Sequence, residues 1–168
     1  LALGGASWPR VGSDGAWVSV LRRLGITVHS LEPANAGVII GWSEWFIERF
    51  HGTPLKNVAV SFDGERVRSD LMITRGGLEG TGVYSHSARL RERLGSGTAM
   101  IHLDLFPDLG ETRLVERIGA GRPRDTATNR LRRLGLPPAA VAIVGESTGR
   151  RLPSEPNDLA HLLKALPL

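Results

Sequence analysis

The residues Gly145-Glu146-Ser147-Thr148-Gly149 fit the G-x-S-x-G pattern that holds a nucleophilic serine on a sharp strand-to-helix turn. Ala142-Ile143-Val144 before them could be a strand, and Asp158 and His161 follow in the chain order of a hydrolase triad. Against this, Arg150-Arg151-Leu152-Pro153 stands where a helix should begin. Asp158 and His161, three apart on one short helix, are too local to orient each other as triad members do. The plainer expectation is a helix end running into a polar loop, and a serine hydrolase using Ser147 is kept as an alternative. His102 and Asp104 would share one face of a strand and could ligate a metal as a pair. No third ligand is spaced to join them and the histidines show no H-x-x-x-H, so no metal is assigned. Tyr84 and His86, after a glycine-rich stretch, could reach a ligand held there or be partly buried.

That stretch, Arg75-Gly76-Gly77-Leu78-Glu79-Gly80-Thr81-Gly82, has the composition of an anion or ring cradle. Backbone amides freed of side chains just before a helix bind negative or electron-rich groups, and Arg75 stands at the entrance. A tight connection that needs positive φ angles is the structural alternative. Gly4-Gly5-Ala6-Ser7 and Gly12-Ser13-Asp14-Gly15 carry the same duality, and neither is the G-x-G-x-x-G of a dinucleotide fold.

Several elements must position these groups. Ser13 or Asp14 can cap a helix running to about Leu24, with Gly25 just beyond its end and Trp17, Val20, Leu21 and Leu24 on one face. A second helix over 43–50 carries Trp42, Phe46 and Phe50 in register, and Gly52 follows. Residues 28–40, broken by Pro33, Asn35 and Gly37, suit strands or loops. In 56–73, Val58, Val60 and Phe62 alternate, Asp63-Gly64 is a hairpin turn, and Val67, Leu71 and Ile73 lie beyond it. A helix over about 83–94 and a strand over 100–106, closed by Pro107, come next.

From Glu111 four short helices are expected, at 111–118, 126–134, 138–146 and 155–165. Asp125 and Ser154 serve as N-caps, Pro137-Pro138 suits a first turn, and Gly135 follows a helix end. The phrase Leu-Arg-Arg-Leu-Gly at 21–25 and 131–135 reads as two helices ending alike, with Arg at the negative pole. The order is β-rich, then all-helical.

Composition bounds what this can do. The 168 residues, 18.1 kDa, give room for one ordinary domain or two very small ones. With 41% hydrophobic and 23% charged residues a core can be buried and wholesale disorder is excluded. The absence of cysteine removes disulfides, thiolate zinc sites, iron–sulfur clusters and a cysteine nucleophile. No apolar run has the length of a membrane helix, so no membrane partner is expected and the default compartment is the cytoplasm. The net charge is +4, and apart from Lys56 and Lys164 every basic residue is Arg. Guanidinium favours forked phosphate or carboxylate contacts. Here the arginines are scattered, often beside Glu, with only 5% aromatics, so an arginine-rich RNA-binding or interaction module is the alternative and nucleic acid is not the expected partner. The opening Leu1-Ala2-Leu3-Gly4-Gly5 reads as the tail of a strand, and Leu166-Pro167-Leu168 stops where an extended segment should begin. Both ends read as cuts from a longer chain.

Three phrases together resemble a known family. Leu3-Gly4-Gly5-Ala6-Ser7-Trp8-Pro9 followed by Gly12-Ser13-Asp14-Gly15 is similar to a G-G-x-S-x-P-x-x-G-S-x-G-D-G phrase, here lacking one glycine. Leu71-Met72-Ile73-Thr74-Arg75-Gly76-Gly77-Leu78-Glu79-Gly80 resembles F-T-H-x-G-L-S-G-P, with Arg75, Glu79 and Thr81 replacing the His, Ser and Pro. Ile101-His102-Leu103-Asp104-Leu105-Phe106-Pro107 resembles I-x-I-D-L-x-P. The phrases belong to bacterial NAD(P)/FAD-dependent oxidoreductases, flavoproteins that include aminoacetone oxidases and a reductase of bile-acid metabolism.

The resemblance implies an α+β fold: a small β-barrel-like subdomain, then a small all-helical one, inserted into a Rossmann-type FAD-binding domain. It implies a remnant of that domain and a linking helix at 1–30, the barrel-like part at 31–110 and the helical part at 111–168. It implies FAD in the intact parent, with NAD(P)H as a further possibility. Gly4, Gly5 and Ser7 would lie against the flavin, and Arg75, Gly76, Gly77 and Gly80 would face the flavin and substrate side. The partners implied are the rest of the parent flavoprotein and a small-molecule substrate. The isolated chain should neither retain FAD nor be catalytic, and no catalytic residue is assigned.

Overall fold

The computed structural model describes residues 3–121 and 125–168. The chain divides into two compact units, Leu1–Pro33 and Ala34–Leu168.

In the first unit, Pro9–Val11 forms a 3-10 turn that Gly12 ends in a left-handed conformation. A bridge pairs Trp8 with Ser13 across it. Helix α1 is Trp17–Arg23, shorter at its start than expected. Asp14 does help to open it, but by accepting a hydrogen bond from the Ala16 amide (3.0 Å) rather than by capping the first turn. Gly25 follows the helix end with φ +74, the left-handed turn expected of it. The Trp17 indole donates to the Gly4 carbonyl at 3.1 Å, which folds the glycine pair back against the helix. Leu3 to Gly5 form no strand, and Leu1 and Ala2 lie outside the described residues.

The second unit is built on a curled six-stranded antiparallel sheet. Its strands are β1 (Val38–Ile39), β2 (Pro54–Phe62), β3 (Glu65–Ile73), β4 (Gly77–Glu79), β5 (His102–Asp104) and β6 (Leu166–Pro167). Their spatial order is β1-β4-β3-β2-β5-β6. The hairpin β2–β3 turns at Asp63-Gly64, where both residues are left-handed (φ 50° and 78°), as a two-residue turn between twisted strands requires. A bulge at Lys56-Asn57 leaves Asn57 at φ 54°, and its amide donates to the Asp70 carboxylate at 2.8 Å.

Between β1 and β2 lies α2 (Glu44–Phe50), the helix expected over 43–50; Ser43 stands before it as the N-cap, its Oγ accepting from the Phe46 amide. After β4 the expected single helix is two, α3 (Thr81–Tyr84) and α4 (Ser87–Leu94). The chain turns between them at Ser85-His86, and His86 and Ser87 are buried there. Residues 77–79 were expected as loop and are strand, because they are held from both sides by β1 and β3. The strand expected over 100–106 is three residues long in β5, extended by mutual backbone bonds between Ile101 and Leu168.

Four helices follow: α5 (Glu111–Gly119), α6 (Ala127–Arg133), α7 (Pro138–Thr148) and α8 (Pro156–Lys164). Pro138 opens α7, and Gly135 takes φ 96° beyond α6. The N-caps differ from expectation. Thr126 caps α6 with its own hydroxyl, because the Asp125 carboxylate is drawn to Arg133. Glu155, not Ser154, precedes α8, which Pro156 begins. The chain then re-enters the sheet as β6, so Leu159, Leu163 and Leu166 share one core with Leu103, Leu71 and Phe46.

Candidate functional site

The glycine-rich bend at 75–80 carries the chain from β3 into β4, which lies between β1 and β3. Thr74 N–H donates to the Gly77 carbonyl (2.9 Å), and the Gly77 amide returns to the Thr74 hydroxyl (3.1 Å). The Gly77 carbonyl also accepts from the Trp42 indole at 3.3 Å, and the Gly76 carbonyl from Ile40 N–H at 2.8 Å. Backbone approach accounts for two of the four residues singled out here. A Cβ on Gly77 would meet the Val38 carbonyl oxygen at 1.9 Å, and one on Gly80 the Asp70 carbonyl oxygen at 2.7 Å. Gly82 is similarly closed by Ser69 Oγ at 2.5 Å. Arg75 and Gly76 differ: both are exposed, and a Cβ on Gly76 would meet nothing within 4 Å.

Gly4, Gly5 and Ser7 lie in the first unit, all exposed. Gly4 is left-handed (φ 77°), and a Cβ on Gly5 would have only Ser13 Oγ nearby, at 3.5 Å. Their backbone is therefore open on one side, as close approach of a flat ligand requires.

The other candidates resolve into structure. Ser147 sits in the last turn of α7 with Gly149 as its left-handed cap, so 142–144 are helix and there is no nucleophile elbow. Its hydroxyl donates to the Pro167 carbonyl at 2.6 Å and ties α7 to β6. Ser147→Ala should cost about 1 kcal/mol, read by urea denaturation; a loss of catalysis with unchanged stability would contradict this structural role.

Asp104 is buried and accepts from Lys164 Nζ (2.7 Å), Arg66 Nη2 (2.8 Å) and the Phe106 amide (2.8 Å). Lys164 Nζ also donates to the carbonyls of Phe106 and Leu109. The carboxylate is thus satisfied by cations of the chain itself, while His102 is half-buried beside it in sequence but outside this network. Among the described residues no group of three metal-ligating side chains converges.

His86 is buried against the edge of Phe62, and among the described residues neither ring nitrogen has a hydrogen-bond partner. A buried polar group without a partner costs stability. His86→Leu should therefore raise stability by about 1 kcal/mol, measured by thermal and urea unfolding; a loss of similar size would show that the imidazole has a structural partner.

Several arginines are engaged within the chain. Arg89 pairs with Glu65, Arg68 with Asp108 (2.6 Å) and Arg133 with Asp125 (2.9 Å), while Arg117 and Arg130 donate to the carbonyls of Leu134 and Ser154. The hydrogen bond from Arg89 and its charge hold the Glu65 carboxyl below its ordinary value. For Asp108 the hydrogen bond from Asn57 leads, with Arg68 adding to it. Both pKa values are depressed in the folded state, so the stabilisation is present above the unfolded carboxylate value and lost as pH falls through the folded one. Acid unfolding between about pH 5 and pH 2 should show this as a shallow, salt-sensitive slope, reduced in the Arg68→Gln/Arg89→Gln pair; an unchanged slope would contradict it. No helix among the described residues is long and apolar enough to cross a membrane.

Residues 32–168 match the family model described as HI0933-like protein barrel and H2TH domain. No curated protein matches the chain.

Proposed function

Because the chain belongs to the HI0933-like barrel and H2TH domain family, we propose that it is the substrate-side insert domain of an FAD-dependent oxidoreductase. The family match carries this reading, since it covers the curled sheet and the helices that follow it. The first unit supports it independently. None of its described residues is buried, and Leu3, Trp8, Val11, Val20, Leu24 and Ile26 are all exposed. So dense an apolar surface on a small unit calls for a covering partner, and the Rossmann-type FAD domain of the parent is the partner proposed.

FAD bound in that parent would supply the hydride chemistry, with NAD(P)H as a possible reductant; the chain's own residues bind, orient and exclude water. Gly4, Gly5 and Ser7 offer an open backbone that lets a flat ring come close. Arg75 and Gly76 face outward on the substrate side, while Gly77 and Gly80 hold the bend in shape against β1 and β3. In this reading the parent is the enzyme and the chain alone is inactive.

Two substitutions in the full-length polypeptide test this without disturbing the chain's own packing. A Cβ at Gly5 is in ordinary contact only, with Ser13 Oγ at 3.5 Å, and one at Gly76 has nothing within 4 Å. G5V should lower the flavin content of the purified protein with its melting temperature unchanged. G76V should raise KM with flavin content unchanged. Full flavin occupancy in G5V together with an unaltered KM in G76V would overturn the site assignment.

A further inference from the structure

We propose that the cleft between α2, α6 and α7 is a binding site for a small organic anion, an apolar body carrying one carboxylate or phosphate head. The cleft encloses about 360 Å³, within the range of small-molecule sites. Phe50, Leu131, Val141 and Leu152 give it an apolar lining, and Arg49, Arg132 and Arg150 stand exposed around it.

Charge complementarity selects the ligand. Arg66, Arg68, Arg89 and Arg133 meet carboxylates of the chain itself. The three in the cleft make no ion pair or side-chain hydrogen bond with any described residue. The carboxylate that lines the cleft, Glu146, is occupied by the Ser43 amide (2.8 Å) and hydroxyl (2.9 Å), where it fixes the start of α2. Two of the guanidinium groups are nonetheless held in place. Arg49 and Arg150 lie 5.4 and 5.3 Å from the centre of the Trp45 ring, a cation–π contact that leaves their N–H donors unspent. Arg49 reaches Trp45 by standing one turn further along α2. Arg150 gets there by a costlier route, since α7 ends in two successive left-handed residues, Gly149 and Arg150 (φ 65°). A long side chain adopts that conformation only where the surroundings impose it. Preorganised, unpaired guanidinium forks beside an apolar lining fit a carboxylate or phosphate head with a hydrocarbon or aromatic body.

Calorimetric titration of the full chain with octanoate, octyl phosphate, octanol and octylamine tests this. Octanoate or octyl phosphate should bind one to one, and the better of the two identifies the head. Octanol and octylamine should bind at least about tenfold more weakly, the lost charge-assisted contact being worth that much. Arg49→Gln/Arg150→Gln should weaken the anion by about tenfold or more, with an unchanged melting curve showing that the fold is intact. Arg10→Gln/Arg113→Gln, which removes the same charge away from the cleft, should leave binding unchanged. Equal binding of octanoate and octanol, equal losses in the two double variants, or no binding of either anion would each overturn the proposal. The result stands apart from the flavin reading, because none of its arms depends on bound flavin.

Discussion

Gly77→Ala should destabilise the protein by about 3–5 kcal/mol, summing backbone strain and forced overlap. The new Cβ would sit 1.9 Å from the Val38 carbonyl oxygen in β1 and 2.8 Å from the amide of Ile40 just after it, both backbone atoms that cannot swing away. The φ of +154° disfavours any L side chain as well. Relief requires β1 to separate from β4, which breaks the Val38–Leu78 and Ile39–Gly77 pairing and the bond from the Trp42 indole to the Gly77 carbonyl. Urea denaturation should show the fall, accompanied by a red shift in tryptophan emission as Trp42 loses its cover. Gly76→Ala is the internal control: with open space around it, its effect should stay within about 0.5 kcal/mol. A Gly77→Ala loss no greater than that of Gly76→Ala would show that β1 is not held where the structure has it.

The second large effect is expected at Asp104. Asp104→Ala should cost about 3 kcal/mol or more, because it strands a largely buried ammonium without its counter-charge. Lys164 is 18% exposed and Asp104 4%, so water can reach the lysine only poorly. Arg66, at 47% exposed, can be rehydrated, and Arg66→Ala should cost less than about 1 kcal/mol. The double change Asp104→Leu/Lys164→Met should recover much of the loss, since two apolar groups need no partner. That recovery separates an ion-pair effect from a cavity effect. If the double variant is as unstable as the sum of its two single changes, the pair is not what holds β5 to α8.

These two residues also mark where local sequence signals end. The hairpin was legible because Asp63-Gly64 and the alternating Val58, Val60 and Phe62 are local statements about turn and face. The left-handed glycines after α1 and α6 were legible for the same reason. Gly77 carries a different kind of information. Its lack of a side chain answers to a strand some forty residues earlier, so the same glycines read locally as a loop. His102 and Asp104 read as a ligand pair because their alternation is visible, whereas Lys164, which neutralises Asp104, is brought in only by α8. Ser147 read as a possible nucleophile from five residues, yet the apolar 142–144 before it pack as helix, with Ile143 and Val144 in the core. In the arginine cleft one half was present in the sequence, the four-residue spacing of Trp45 and Arg49, while Arg150 arrives from the far end of α7.

The central claim is that this chain serves a flavin it does not hold alone. Its most direct test is the visible absorption spectrum of the full-length polypeptide, purified beside the 168-residue chain and repeated after each has been incubated with FAD and desalted. The account predicts a flavin spectrum in the full-length protein and none retained by the chain. A full-length protein that stays colourless even after incubation with FAD would contradict it.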